Sequence, residues 1–170
     1  MLTISPRATG IPVSGNVNVN YNAATEEIRA SDSTIRWPHS SVNFNGALSS
    51  GLRVNITSQD LHDFLAAIPS QASTPAVRLN GGQVSLQVVL SGSLQNPAIN
   101  GHLAATRLIV QDRQFDSART DFSAAKSRVS ATNGVITRGT MEARFAGSAN
   151  LENWSPKPDK PLTLTSTISN

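Results

Sequence analysis

The side chains able to hold a metal or move a proton are few in this sequence and widely spread. Of three histidines, His39, His62 and His102, one falls in a tight cluster, Asp60-Leu61-His62-Asp63. Imidazole and carboxylate are zinc ligands, but residues one and two apart on a helix point in different directions, so this spacing does not converge on one ion. No metal is expected. Asp112, Asp116 and Asp121 raise a second possibility, the paired acids of a glycoside hydrolase. With no sugar-stacking platform beside them, turn and outward positions are the better reading. Serine is abundant, yet the sequence has no G-x-S-x-G elbow, no phosphate-binding Walker loop and no dinucleotide fingerprint. Without cysteine there is neither a disulfide nor a thiolate metal site. The expectation is a protein that is not an enzyme and carries no cofactor.

The elements that position these residues are strands. In "VSGNVNVNYN", Val13, Gly15, Val17, Val19 and Tyr21 alternate with Ser14 and four asparagines. The same phase returns in "VNFNGAL" (Val42, Phe44, Gly46, Leu48), "LRVNI" (Leu52, Val54, Ile56) and "QVSLQVVLSGSL" (Val84, Leu86, Val88, Leu90, Gly92, Leu94). It returns again in "TMEARFAGSANL", where Met141, Ala143, Phe145, Gly147, Ala149 and Leu151 oppose Glu142, Arg144, Ser148 and Asn150. One apolar and one wet face is the mark of antiparallel sheet, since strands buried on both faces read as continuous apolar runs. Turns are expected at 49–51, 80–82 and 96–101, the last ending one strand at Asn96-Pro97 and beginning the next after Asn100-Gly101. Asn133-Gly134 is the strongest hairpin signal, because both residues tolerate positive φ.

One helix is expected over 58–68, with Ser58 as N-cap, Leu61, Phe64, Leu65 and Ile68 on one stripe and Pro69 as the stop. Its stripe would pack onto the apolar sheet face. "PSQASTP", 69–75, then reads as a flexible link, dividing residues 1–75 (strands, helix and linker) from a C-terminal meander over 76–170. "WSPKPDKP" breaks the chain before a last strand, "LTLTSTI".

Only 38% of the 170 residues are hydrophobic and 5% aromatic, so the core should be thin and elongated. The net charge of +3 does not indicate nucleic acid. The arginines come singly, with no basic cluster and no stacking platform. No run approaches the roughly 20 apolar residues of a membrane-spanning helix, and the first fifteen residues are too broken by proline and glycine for a secretory signal.

"SGSLQNPAINGHLAATRLIVQDRQFDSARTDFSA" and "TNGVITRGTMEARFAGSANLENW" together resemble the AsmA-like superfamily, in particular its TamB-type translocation and assembly module family. A G-x-L-x-x-P-x-x-x-G-x-L pattern is met by Gly92, Leu94, Pro97, Gly101 and Leu103. The run "GNVNVNYN…SSVNFNGAL…ITSQDLHDFLAAI" is similar to the strand-strand-helix module of the same proteins, and the resemblance spans about residues 13–154. Members usually carry an N-terminal membrane anchor and some a conserved C-terminal domain; neither is recognisable here, so the chain is expected to be a segment of a longer protein.

The resemblance implies an all-β, elongated and curved antiparallel meander, a taco-like groove with one short α-helix, in the periplasm or cell envelope of a diderm bacterium. It implies phospholipid transport between the inner and outer membranes, with a part in outer-membrane assembly. The groove lining would comprise Val17, Val19, Tyr21, Val42, Phe44, Leu48, Val84, Leu86, Val88, Leu90, Leu103, Met141, Phe145 and Leu151. Implied partners are phospholipid acyl chains, neighbouring β segments of the parent protein and an outer-membrane barrel. The alternative is a solenoid or sandwich segment of a surface adhesin, in which two sheets close on each other without a ligand.

Overall fold

Strict alternation over many short runs leaves each strand able to bury only one face, and the chain resolves this with a single sheet. The computed structural model describes residues 2–5, 12–65, 77–156 and 161–170. Among them fourteen strands and one short helix follow in order. These are β1 (Leu2–Ile4), β2 (Ser14–Val17), β3 (Val19–Asn22), β4 (Glu27–Arg36), β5 (Ser40–Ala47), β6 (Leu52–Ser58), α1 (His62–Leu65), β7 (Val77–Leu79) and β8 (Val84–Gly92), then β9 (Pro97–Val110), β10 (Arg113–Ala125), β11 (Arg128–Arg138), β12 (Met141–Glu152), β13 (Ser155–Pro156) and β14 (Leu162–Ser169). All belong to one open antiparallel sheet in which spatial order follows chain order, and it does not close into a barrel. β2 and β3 lie in line against β4, β7 and β8 against β9, and β13 and β14 against β12. β6 pairs with β8, so the spans before and after 66–76 share one sheet.

Several local expectations are corrected. Asn133-Gly134 makes no hairpin. It lies inside β11, where the register slips between Ala131 and Gly134 and Asn133 takes φ 54°. The positive φ that favours a tight turn serves equally in a bulge. Tight turns with two positive φ values occur instead at Gln111-Asp112 and Asn153-Trp154. The expected turn at 96–101 is also displaced. The chain reverses at Ser93–Asn96, where Asn96 N–H donates to Ser93 O at 3.1 Å, and β9 runs unbroken through Asn100-Gly101.

Residues 80–82 form no hairpin but a break between two strands in line, while 49–51 does join β5 to β6. The run at 13–22 divides at Asn18, whose N–H donates to Ser33 Oγ (2.9 Å) and whose carbonyl accepts from Ser31 N–H (2.9 Å), beside a register shift in β4.

Among the described residues the helix covers His62–Leu65, and Ser58 belongs to β6 rather than to its cap. Asp60 caps it, its Oδ1 accepting from His62 N–H at 3.0 Å. Phe64 packs on Trp37, in the β4–β5 connection, with ring centroids 5.4 Å apart. Ile68, Pro69 and the proposed link at 69–75 lie outside the described residues, as does the stretch 157–160.

Burial is as thin as composition suggests. Among the described residues the buried apolar side chains are Ala30, Ala47, Leu48, Ala105, Leu108 and Val135, joined by Ser33, Ser40 and Ser58. The accessible surface is 11079 Å², whereas a compact protein of 18.0 kDa exposes about 8,000 Å². Among the described residues no second layer covers either face, and the strands form one open sheet rather than two closed on each other.

Candidate functional site

The uncovered apolar face is the principal feature of the surface. Antiparallel register carries each side chain's phase from strand to strand, because directly opposed residues share a face. One row runs Phe44, Val54, Val88, Gly101, Phe122, Ala131, Gly147, Leu164 across β5 to β14. A parallel row runs Leu52, Leu90, Ile99, Ala124, Val129, Ala149, Leu162. Neither row holds a charge or a hydrogen-bonding side chain. A third, Val42, Ile56, Leu86, Leu103, meets Thr120 on β10, whose hydroxyl is turned back onto the Asp121 and Thr132 carbonyls, each at 3.1 Å.

Two glycines shape this face. Phe122 lies across Gly101, so close that a Cβ there would sit 2.5 Å from Cζ of the ring. Phe145 covers Gly134 in the same way, with Cε2 and Cζ at 2.5 Å from such a Cβ. Each ring fills the space its cross-strand partner leaves empty, which keeps the apolar surface even despite the missing side chains.

Thirteen of the fourteen residues named from sequence lie in strands at positions of this phase, whereas Leu48 follows β5 in the turn, outside every ladder, and is buried. Val17 and Tyr21 are linked to it through β4, Val42 through β5, Val84 to Leu103 through β8 and β9, and Phe145 and Leu151 through β12. Phe122, Ile99, Ile136, Leu162 and Leu164 join them without having been singled out. Phe122 is hidden by its neighbours Arg119, Thr120 and Asp121, which mask the alternation of β10. Knowing that β10 pairs with β9 about Gln111-Asp112 would have placed it opposite Gly101.

The opposite face is laced with side-chain hydrogen bonds between strands: Thr34 to Asn43 (2.8 Å), Ser41 with Thr57 (2.9 Å), Ser117 with Thr137 (2.8 Å) and Ser123 with Ser130 (2.7 Å). On it lies the arrangement nearest to catalytic chemistry. His102 Nδ1 meets Asp121 Oδ1 at 2.8 Å, and Asn133 Nδ2 donates to Asp121 Oδ2 at 2.8 Å. The Asn133 amide, then the His102 ring, hold the Asp121 carboxyl below the usual carboxylate range. The pair borders an open depression of about 600 Å³ shared with Arg119, Arg144, Thr165 and Thr167. A histidine oriented by an aspartate is two thirds of a hydrolytic triad, but no hydroxyl is bonded to this imidazole among the described residues.

At the helix, His62 Nδ1 meets Asp60 Oδ1 at 2.7 Å, and Asp63 Oδ2 accepts from His39 N–H at 3.0 Å. The His62 backbone N–H and then its ring lower the Asp60 carboxyl. Among the described residues no three of these groups converge as a metal would need, and no helix is long and apolar enough to cross a membrane. Asp112 pairs with Arg78 at 2.7 Å and Asp116 accepts from Gly139 N–H at 2.6 Å, so the three aspartates have separate structural partners. Compared with known proteins, the chain matches no family model, no curated protein and no solved structure.

Proposed function

We propose that this chain is a length of wall in a bacterial envelope protein of the AsmA-like, TamB type, and that its apolar face shields phospholipid acyl chains passing between the inner and outer membranes. The observation that carries the reading is the pair of uncharged apolar rows that cross the sheet to β14, with no protein layer over them among the described residues. Eleven ladder positions at about 4.8 Å give a surface about 50 Å wide. Each methylene moved from water onto it contributes roughly 0.8 kcal/mol, so acyl chains bind without a specific polar contact. The role is that of a carrier surface rather than an enzyme. In the parent protein, neighbouring β segments would extend the wall in the periplasm and an outer-membrane barrel would receive its end.

The experiment is to place a photo-crosslinking residue at Val88 or, one residue away on the opposite face, at Gln87, in chain expressed in a diderm bacterium. Extracted adducts are then read by mass spectrometry. Phospholipid adducts at Val88 and few at Gln87 are expected. Equal labelling at both, or none at Val88 in folded protein, would sink the proposal and favour the adhesin-like structural reading.

A further inference from the structure

Over the bulge in β11, on the face opposite the apolar rows, two arginines stand on either side of one valine. Val135 is directly opposed by Arg119 on β10 and by Arg144 on β12. It is only 8% exposed, on a face that no second layer covers among the described residues. The side chains placed to shield it are the two opposed arginines, since long cationic side chains lay their stems on apolar surface and keep their heads in water. Their Cα atoms are two strand spacings, roughly 10 Å, apart, so both heads can reach one small anion held between them.

The acid that would neutralise Arg119 is turned away from it. Asp121 is the one carboxylate lining the depression and lies two residues further along β10, on the same face. Yet its Oδ1 meets His102 Nδ1 at 2.8 Å and its Oδ2 accepts from Asn133 Nδ2 at 2.8 Å. Asn133 reaches it because β11 carries one extra residue there, with φ 54° at Asn133, and a bulge re-aims the side chain it displaces. Arg119 is exposed and makes no hydrogen bond or ion pair among the described residues. Arg144 gives its Nε to Glu142 Oε1 at 2.8 Å and keeps its terminal nitrogens. With Glu142 offsetting Arg144 and Asp121 spent on two donors, the unmatched charge is that of Arg119.

We infer that this depression, of about 600 Å³, binds a phosphate group between Arg119 and Arg144. A tetrahedral oxyanion has acceptor oxygens for both guanidinium planes. It has others for the hydroxyls of Thr167, opposite Arg144, and Thr165, opposite Ala146, which line the same depression. Asn133 is a positioning residue, acting through Asp121 to keep Arg119 free. The site lies on the face opposite the lipid wall and does not depend on that reading.

Titration calorimetry of the whole chain with inorganic phosphate, at constant ionic strength, tests the site. Saturable binding is expected. Arg119→Gln should weaken it about tenfold, the loss of one charge-assisted contact. Arg113→Gln removes the same charge elsewhere on β10 and should leave binding unchanged. Asn133→Gly suits the positive φ but releases Asp121 to pair with Arg119, so it should weaken binding about threefold although no cation is lost. Vesicles of phosphatidylglycerol distinguish the source of the phosphate. Co-sedimentation that Arg119→Gln abolishes assigns a lipid headgroup, and phosphate binding without co-sedimentation assigns a soluble phosphate ester. No saturable binding by the wild-type chain, a loss no greater in Arg119→Gln than in Arg113→Gln, or undiminished binding by folded Asn133→Gly overturns the inference. If Asn133→Gly fails to fold, as judged by far-UV circular dichroism, the arginine pair still decides.

Discussion

Gly134 and Phe145 provide a thermodynamic cycle in which one substitution should change sign. Gly134 sits in extended β11 opposite Phe145 on β12, and its φ is not among the positive ones, so alanine suits the backbone. The obstacle is the ring, since a Cβ at 134 would lie 2.5 Å from Cε2 and Cζ and 2.6 Å from Cδ2 of Phe145. The ring has to swing off its site, and overpacking of this kind costs about 1–3 kcal/mol. With Phe145→Ala the obstruction is gone. Alanine in place of glycine within a strand should then stabilise by about 0.5–1 kcal/mol through reduced unfolded-state entropy.

The coupling between the two sites is the difference of these effects, about 1.5–4 kcal/mol. Urea unfolding of the four proteins, followed by far-UV circular dichroism, measures it. Gly101 is the control, because a Cβ there meets the Gln87 carbonyl at 2.8 Å as well as the Phe122 ring, and Phe122→Ala should relieve only part of its cost. If Gly134→Ala destabilises the Phe145→Ala protein as much as it does the wild type, the ring does not cover the glycine and the reasoning fails.

Ser33 is 1% exposed and its hydroxyl accepts the Asn18 N–H at the break between β2 and β3; Ser33→Ala leaves that donor unpaired and should cost about 1–3 kcal/mol in the same urea assay. Asp121 has its folded pKa depressed by Asn133 and His102. Its contribution is thus present above the unfolded value and lost as pH falls through the folded one, and an acid titration should show Asp121→Asn with a shallower loss of stability below about pH 4. Asp60→Ala removes the cap on α1 and should cost about 1 kcal/mol locally, seen as faster amide exchange at His62 with little change at β9.

The fold class and the phase of the strands were legible in the sequence because both depend on a period of two, which Val84 to Leu94 display openly. What was not legible depends on partners. Asn133-Gly134 satisfies a tight turn and a bulge equally, and only the pairing of Phe145 with Gly134 decides for the bulge. Gln111-Asp112, a true two-residue turn, lacks the glycine that would have marked it. The His102–Asp121 pair joins residues far apart in the chain through the β9–β10 register, and neither residue's neighbours announce it. Ser58 reads as a helix cap but is the last residue of β6, two residues before Asp60, which caps α1.

Spatial order equal to chain order has a consequence for how the molecule forms and comes apart. Most ladders join segments close in the chain, the exceptions being β6–β8, which spans 66–76, and β7–β9, which encloses β8, so closing most hairpins incurs little loop entropy and needs no distant segment in place first. Folding can begin at any of several hairpins and spread outward strand by strand, as in a linear array with nearest-neighbour coupling. Loss of structure runs the other way, from the two edges inward. Native-state hydrogen exchange should therefore grade across the sheet, slowest in β9 and β10, whose shared ladder is among the longest, and fastest in β1 and β14.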